Sequence, residues 1–163
     1  ERQAEDWAEG KELHADAFPA QIFMNVIPFI GAEETLGYTD EEMKMQNEGR
    51  KILHLPDLAV TCTCVRVPVL RSHSISLTLR TESPVTPEKA AEAVRSFPGC
   101  RLAEDLDGRD YPTPLDTSDQ DDVWVGRIRK DLTDPCGLTL WCCGDQIRKG
   151  AATNAVQILE LFI

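Results

Sequence analysis

The chain has 163 residues, 42% of them hydrophobic and 28% charged, and its 17 basic against 28 acidic side chains leave a net charge of −11. That length fits one domain whose core removes roughly 70% of the unfolded surface from water. The acidic excess argues against a nucleic-acid binder, which needs a basic footprint, and against docking on anionic lipid.

The longest uncharged run, residues 17–32, is broken by Pro19, Gln21, Asn25 and Pro28 and falls short of the roughly 20 apolar residues a spanning helix wants. No signal-like or transit-like start is visible. With no initiator Met and an abrupt helical opening, the chain reads as a processed product or a piece of something longer. Cys62, Cys64, Cys100, Cys136, Cys142 and Cys143 mostly lie in apolar, strand-like runs, where free cysteine behaves as a small hydrophobe. No C-x-x-C pair is present, so a zinc site has little support. A soluble, reduced, intracellular chain is the expectation.

In chain order, residues 1–13 read as a charged surface helix carrying Trp7 and Leu13, and 17–30 as an apolar loop or short strand. Thr39 and Glu42 form a capping box, with acidic residues in the first turn and Arg50 and Lys51 in the last. They predict a helix from 40 to about 54, which Gly49 weakens. Residues 58–65, rich in Val, Thr and Cys, read as a buried strand. Residues 74–80 alternate as a half-buried strand.

Thr86-Pro87 opens a further helix with Ala90, Ala91, Val94 and Phe97 on its apolar face, ending at Pro98-Gly99. Residues 104–122 read as a long acidic loop. Strands follow at 123–128 and 138–143, joined by a turn at Asp134-Pro135. A last helix from about 146 to 162 would bury Ile147, Ala151, Ala155, Ile158, Leu159 and Phe162. Clustered strands without strict alternation predict an α+β fold, a mixed and largely antiparallel sheet with helices packed on one face. No Gly-rich phosphate-cradling fingerprint follows any strand.

Three segments could carry chemistry. In CVRVPVLRSHS (64–74), Arg66 offers a planar fork for a carboxylate and His73 an imidazole for proton transfer. Glu41 and Lys44 share one helix face and could meet a substrate of both charge signs. In GDQIRKGAA (144–152), small residues would let a backbone or ligand approach closely. Taken alone, each reads more simply as solvated arginines and a turn histidine, a surface ion pair, and plain helix packing.

Together, however, FMNVIPFIG (23–31), EEMKM (41–45), CVRVPVLRSHS (64–74), YPTPLDTSDQDDVWVGRIR (111–129) and GDQIRKGAATNAVQI (144–158) resemble the carboxy-terminal catalytic and dimerisation domain of aspartate-β-semialdehyde dehydrogenases. The GDQIRKGAA form is similar to the plant branch, which would imply a plastid. The resemblance implies an NADP-dependent reduction of aspartyl phosphate to aspartate semialdehyde in amino-acid biosynthesis.

It also implies a glyceraldehyde-phosphate-dehydrogenase-like carboxy-terminal fold that forms a homodimer or joins a larger assembly. Residues 1–145 would be the catalytic and dimerisation domain, and 146–163 a helix packing back on a nucleotide-binding half. By the same resemblance Arg66 clamps the substrate carboxylate, His73 is the general acid/base, Glu41 holds the substrate ammonium, Lys44 binds phosphate and Gln146 meets the nicotinamide end of the cofactor.

None of the six cysteines has the Asn/Gly-Cys-Ser/Thr-Thr surroundings of the family nucleophile, so this chain alone is expected to be inactive. Gly49 stands where the family commonly has Thr. A second reading is therefore a non-catalytic descendant or fragment serving as an interaction subunit.

Overall fold

The computed structural model describes residues 1–104 and 106–163. They divide into two compact units, Glu1–Pro68 and Val69–Ile163.

The first unit opens with helix α1, Arg2–Ala8. It is shorter than the thirteen-residue reading because the chain turns at Gly10, φ +71°. The Gln3 side chain accepts from the amides of Ile22 and Phe23, and Trp7 lies against Phe23 with ring centroids 5.8 Å apart. A small hairpin follows, β1 (Glu33–Thr35) and β2 (Tyr38–Thr39). Its Leu36-Gly37 turn has both residues at positive φ, the backbone twist that suits a two-residue hairpin. The sequence reading missed it because Leu is a poor marker for that position.

Helix α2 spans Asp40–Ile52 and carries the expected capping box. Glu42 Oε2 accepts from the Thr39 amide at 2.9 Å, and Thr39 Oγ1 accepts from the Glu42 amide at 3.4 Å. Residues 58–65 form no strand. They run extended, with alternate residues half-buried, and only Arg66 pairs, in a single antiparallel bridge with Ile27. The period-two pattern reflects an extended segment lying on α2. It is pinned there by Arg50 Nε donating to the Leu58 carbonyl at 2.8 Å and the Cys64 amide donating to Glu42 Oε1 at 2.9 Å.

The second unit is a four-stranded sheet in the order β3-β6-β5-β4. β6 (Gly137–Gly144) runs antiparallel to both its neighbours, β3 (His73–Arg80) and β5 (Val123–Lys130), and the short β4 (Cys100–Leu102) runs parallel to β5. The register sets His73 opposite Gly144 and Arg80 opposite Gly137. Helix α3, Pro87–Ser96, capped by Thr86, packs on β4 and β5, and Phe97 lies beyond its end, exposed. The sheet is mixed and mostly antiparallel with helices against it, as expected. Ala103, Trp124, Val125, Leu138 and Cys143 are buried in its core.

Two corrections concern the carboxy-terminal half. The acidic loop holds a short helix, α4 (Pro114–Thr117). The last helix is also interrupted. A π-helical turn at Arg148–Ala152 precedes α5 (Thr153–Glu160), and its expected buried stripe is exposed, Ile158 by 50% and Phe162 by 79%. The helical spacing is real, but nothing among the described residues covers that face. No helix among them is long and apolar enough to cross a membrane.

Two glycines set stability in opposite directions. A Cβ at Gly49 would make an ordinary 3.6 Å contact with Leu58, so Gly49→Ala is expected to stabilise α2 by about 1 kcal/mol. A Cβ at Gly126 would lie 2.3 Å from the Asp110 carbonyl oxygen and 2.8 Å from Tyr111 Cα, both backbone. Gly126→Ala should cost about 2 kcal/mol or more. Thermal melts should move up for the first by roughly 2–4 °C and down for the second by more than that.

Candidate functional site

In the first unit, Glu41 and Lys44 stand one turn apart on α2 and pair at 3.0 Å. The Glu41 carboxylate raises the Lys44 pKa above its ordinary value. Both remain well exposed. Arg66 is held by its backbone, exchanging both amide–carbonyl bonds with Ile27 at 2.9 and 3.0 Å. Its guanidinium lies 4.6 Å over the Phe18 ring. Among the described residues no carboxylate lies within ion-pair distance of it.

What fixes Arg66 relative to the pair is Glu42, only 8% exposed. Its two oxygens accept from the amides of Thr39 and Cys64, and the same two bonds hold its pKa low. Glu42 thus ties the start of α2 to the segment that ends in Arg66, although no direct contact joins Arg66 to Glu41 or Lys44.

In the second unit, His73 opens β3 and is exposed. It lines a depression of about 420 Å³ together with Ile75, Cys142, Gly144, Gln146 and Lys149. His73 and Gln146, far apart in sequence, are therefore brought to one place.

The residues just before His73 are unusually constrained. Ser72 is buried and has φ +75°. Its amide donates to Gln146 Oε1 at 2.8 Å, and its hydroxyl accepts from Thr117 Oγ1 at 3.0 Å. The Arg71 guanidinium meets Asp119 at 2.9 Å and Asp145 at 2.7 Å. The contact to Asp145 lies off the Nε–H axis, so Nε makes no directed hydrogen bond and the attraction there is ionic.

Asp145 is the hub of this frame and only 1% exposed. It accepts from the amides of Asp119 (2.7 Å), Ile147 (2.9 Å) and Arg148 (3.2 Å). Burial works to raise its pKa, but those amides together with Arg71 bring it below the ordinary value. Thr117 is placed by α4, which is itself clamped. Arg109 forks onto Asp116 at 3.0 and 3.1 Å, and Asp116 Oδ2 accepts from both the amide and the hydroxyl of Thr113 at 2.7 Å.

The sequence reading named Arg66, His73, Glu41, Lys44 and Gln146 but missed Glu42, Ser72, Thr117 and Asp145 as supports. Asp145 carried a signal, a lone acid between Gly144 and Gln146 just after an apolar strand. Ser72 carried none, since serine does not mark a left-handed position. Within the segment 144–152 only Gly144 packs closely, since a Cβ there would lie 3.2 Å from Val123 Cγ2, whereas one at Gly150 would find only ordinary contacts at 3.7 and 3.8 Å.

All six thiols are free. Burial pushes Cys64 and Cys142 up to about 11 and raises Cys62, Cys100 and Cys143 as well. A thiol so placed is a poor nucleophile.

The chain matches the family described as semialdehyde dehydrogenase, dimerisation domain, over residues 1–149. It is 48% identical over 161 residues to the aspartate-semialdehyde dehydrogenase of Synechocystis sp. and 46% identical over 162 residues to that of Aquifex aeolicus. Each match covers 99% of this chain and 48% of the relative. A crystal structure of aspartate semialdehyde dehydrogenase II from Vibrio cholerae, complexed with ASA, matches with a TM-score of 0.93 at 40% identity. That match covers 98% of this chain and 47% of the other. The chain spans about half the length of the curated relatives it matches. These relatives are bacterial, and the expectations of a plant-like branch and a plastid location find no support in them.

The frame behind His73 is expected to be acid-sensitive through α4. The Arg109 fork and Thr113 lower Asp116 from the ordinary 3.8 to about 2. A carboxyl lowered on folding contributes its full stability above its unfolded pKa and loses it as pH falls through the folded one. The Asp116 contribution should therefore be complete above 3.8 and fade between there and about 2. Asp116→Asn should cost about 1–2 kcal/mol near neutral pH, after allowing for its partial exposure to solvent. Melting curves of the two proteins should converge as pH drops from about 5 to about 2.5.

Proposed function

The chain belongs to the semialdehyde dehydrogenase dimerisation-domain family, and from that premise we propose that it supplies the substrate-binding and acid–base part of an aspartate-semialdehyde dehydrogenase. The observation that carries the reading is the Glu42 lock in the first unit, which presents one carboxylate and two cations in a fixed frame. A substrate with one ammonium, one carboxylate and one phosphate needs that set. Arg66, with no carboxylate partner among the described residues, would take the substrate carboxylate through its planar fork. Glu41 would receive the ammonium and Lys44 the phosphate, each leaving the other to do so.

His73 would serve as general acid/base. An imidazole exchanges protons in the neutral range, and this one is exposed at the rim of its depression. It would take the proton of an attacking thiol and hand it back when the product forms. The thiol is not one of the five raised by burial in this chain.

The cofactor proposed is NADP, whose nicotinamide gives or accepts a hydride when bound. Gln146 suits its amide end in one respect. With Oε1 engaged by Ser72, its Nε2 remains to donate to a carbonyl oxygen. The rest of the nucleotide finds no Gly-rich phosphate loop in this sequence. Residues 146–163 would pack on the nucleotide-binding half, which accounts for the bare apolar face of α5. The protein would work as a homodimer, in keeping with the family's dimerisation-domain description.

The test joins this chain to the amino-terminal half of the Synechocystis relative and assays aspartate-semialdehyde oxidation with phosphate and NADP. The joined protein is expected to turn over. His73→Asn should lower kcat by about 100-fold or more with KM little changed, and Arg66→Lys should act mainly on KM because the bidentate fork is lost. An inactive joined protein, or full activity in His73→Asn, would overturn the reading.

A further inference from the structure

A residue bearing a side chain keeps a left-handed backbone only where its surroundings over-determine it, and Ser72, φ +75°, is such a residue. Its hydroxyl is tied to Thr117, its preceding neighbour Arg71 to Asp119 and Asp145, and its amide to Gln146 Oε1 at 2.8 Å. His73 comes next, already paired across the sheet with Gly144, two residues before Gln146. The backbone of His73 is thus bracketed, by the β3–β6 ladder on one side and by the Gln146 bond on the other.

Of these ties, only the bond to Gln146 acts on the peptide group of Ser72 itself. The Thr117 bond ends on a rotatable hydroxyl, and the Arg71 contacts lie one residue further back. A buried amide left without an acceptor carries the full cost of its desolvation. Without Gln146 the backbone would relax from the left-handed region to seek another partner, and the peptide that leads into His73 would rotate with it.

We infer that Gln146 is a positioning residue for His73. By accepting the Ser72 amide it holds the turn that aims the imidazole along the rim of the depression both residues line. The importance of that aim rests on the acid–base role proposed above, but the coupling itself does not. It also joins the two proposed duties of Gln146 in one side chain, since its oxygen serves the histidine while its amide nitrogen is left for a ligand.

The test is solution NMR on the full, isotope-labelled chain and involves no turnover, so its failure is distinct from failure of the dehydrogenase reading. In the unaltered chain a through-hydrogen-bond scalar coupling is expected between the Ser72 amide nitrogen and Gln146 Cδ. Gln146→Met, similar in size but without an acceptor, should speed Ser72 amide exchange about tenfold and shift the His73 ring resonances. Gln146→Glu, which still offers an oxygen, should keep Ser72 exchange within about twofold of the parent above the carboxylate range. Absence of the coupling while β3–β6 couplings are seen would overturn the inference. So would a Gln146→Met chain with unchanged Ser72 exchange and unchanged His73 resonances. Should that variant fail to fold, the coupling in the unaltered chain decides alone.

Discussion

A buried carboxylate that spends its lone pairs on backbone amides is the interaction on which the candidate residues of each unit depend. Glu42 does this in the first unit and Asp145 in the second, and both are nearly inaccessible to water. A carboxylate out of water is costly unless its charge is met by fixed donors. Once it is met, the donors cannot move without exposing that cost again. Each of these acids therefore stiffens segments with no ladder of their own, residues 62–66 by Glu42 and residues 119 and 147–148 by Asp145. Of the groups proposed to touch substrate or cofactor, Arg66 and Gln146 sit on or beside such irregular stretches, while Glu41, Lys44 and His73 sit near the starts of α2 and β3.

The sequence made the regular part of this architecture legible. The Thr39–Glu42 capping box and the Thr86-Pro87 helix start each have a local cause, and each stands where that cause put it; β3 forms where a half-buried strand was expected, but it is exposed along nearly its whole length. Where the cause is not local, the reading failed. The stretch 58–65 has a strand's composition and even its burial period, but a strand also needs a neighbour, and here α2 occupies that place. The last helix has an amphipathic period, which says that a face is apolar without saying what covers it.

The site divides in the same way. Arg66, His73, Glu41, Lys44 and Gln146 were reached through resemblance, since each side chain taken alone fits an ordinary surface. What the structure adds is their supports, and these were illegible because support is a matter of contacts over long separations. Ser72 meets Gln146 across 74 positions and Thr117 across 45. No window of sequence joins them, and a serine at positive φ leaves no trace in composition.

The resting state of the charged groups also bears on how such a site would divide its labour. Glu41 and Lys44 neutralise each other at 3.0 Å in an exposed setting, where an ion pair is worth about 0–1 kcal/mol. Opening that pair costs little, so two ligand charges of the right signs can replace it at a profit, whereas a single charge leaves one partner stranded. Among the described residues Arg66 has no such internal partner, and its guanidinium rests on the Phe18 ring, a contact made through the face of the fork rather than its donating edge. On the proposed reading the arginine would gain affinity from any carboxylate, and the Glu41–Lys44 pair would discriminate. A ligand with only a carboxylate would engage the first and leave the second closed on itself, while one that also carries an ammonium and a phosphate would open it. Glu42 ties the helix that carries the pair to the segment that leads into the arginine, through the amides of Thr39 and Cys64 and without a side-chain bond to either element.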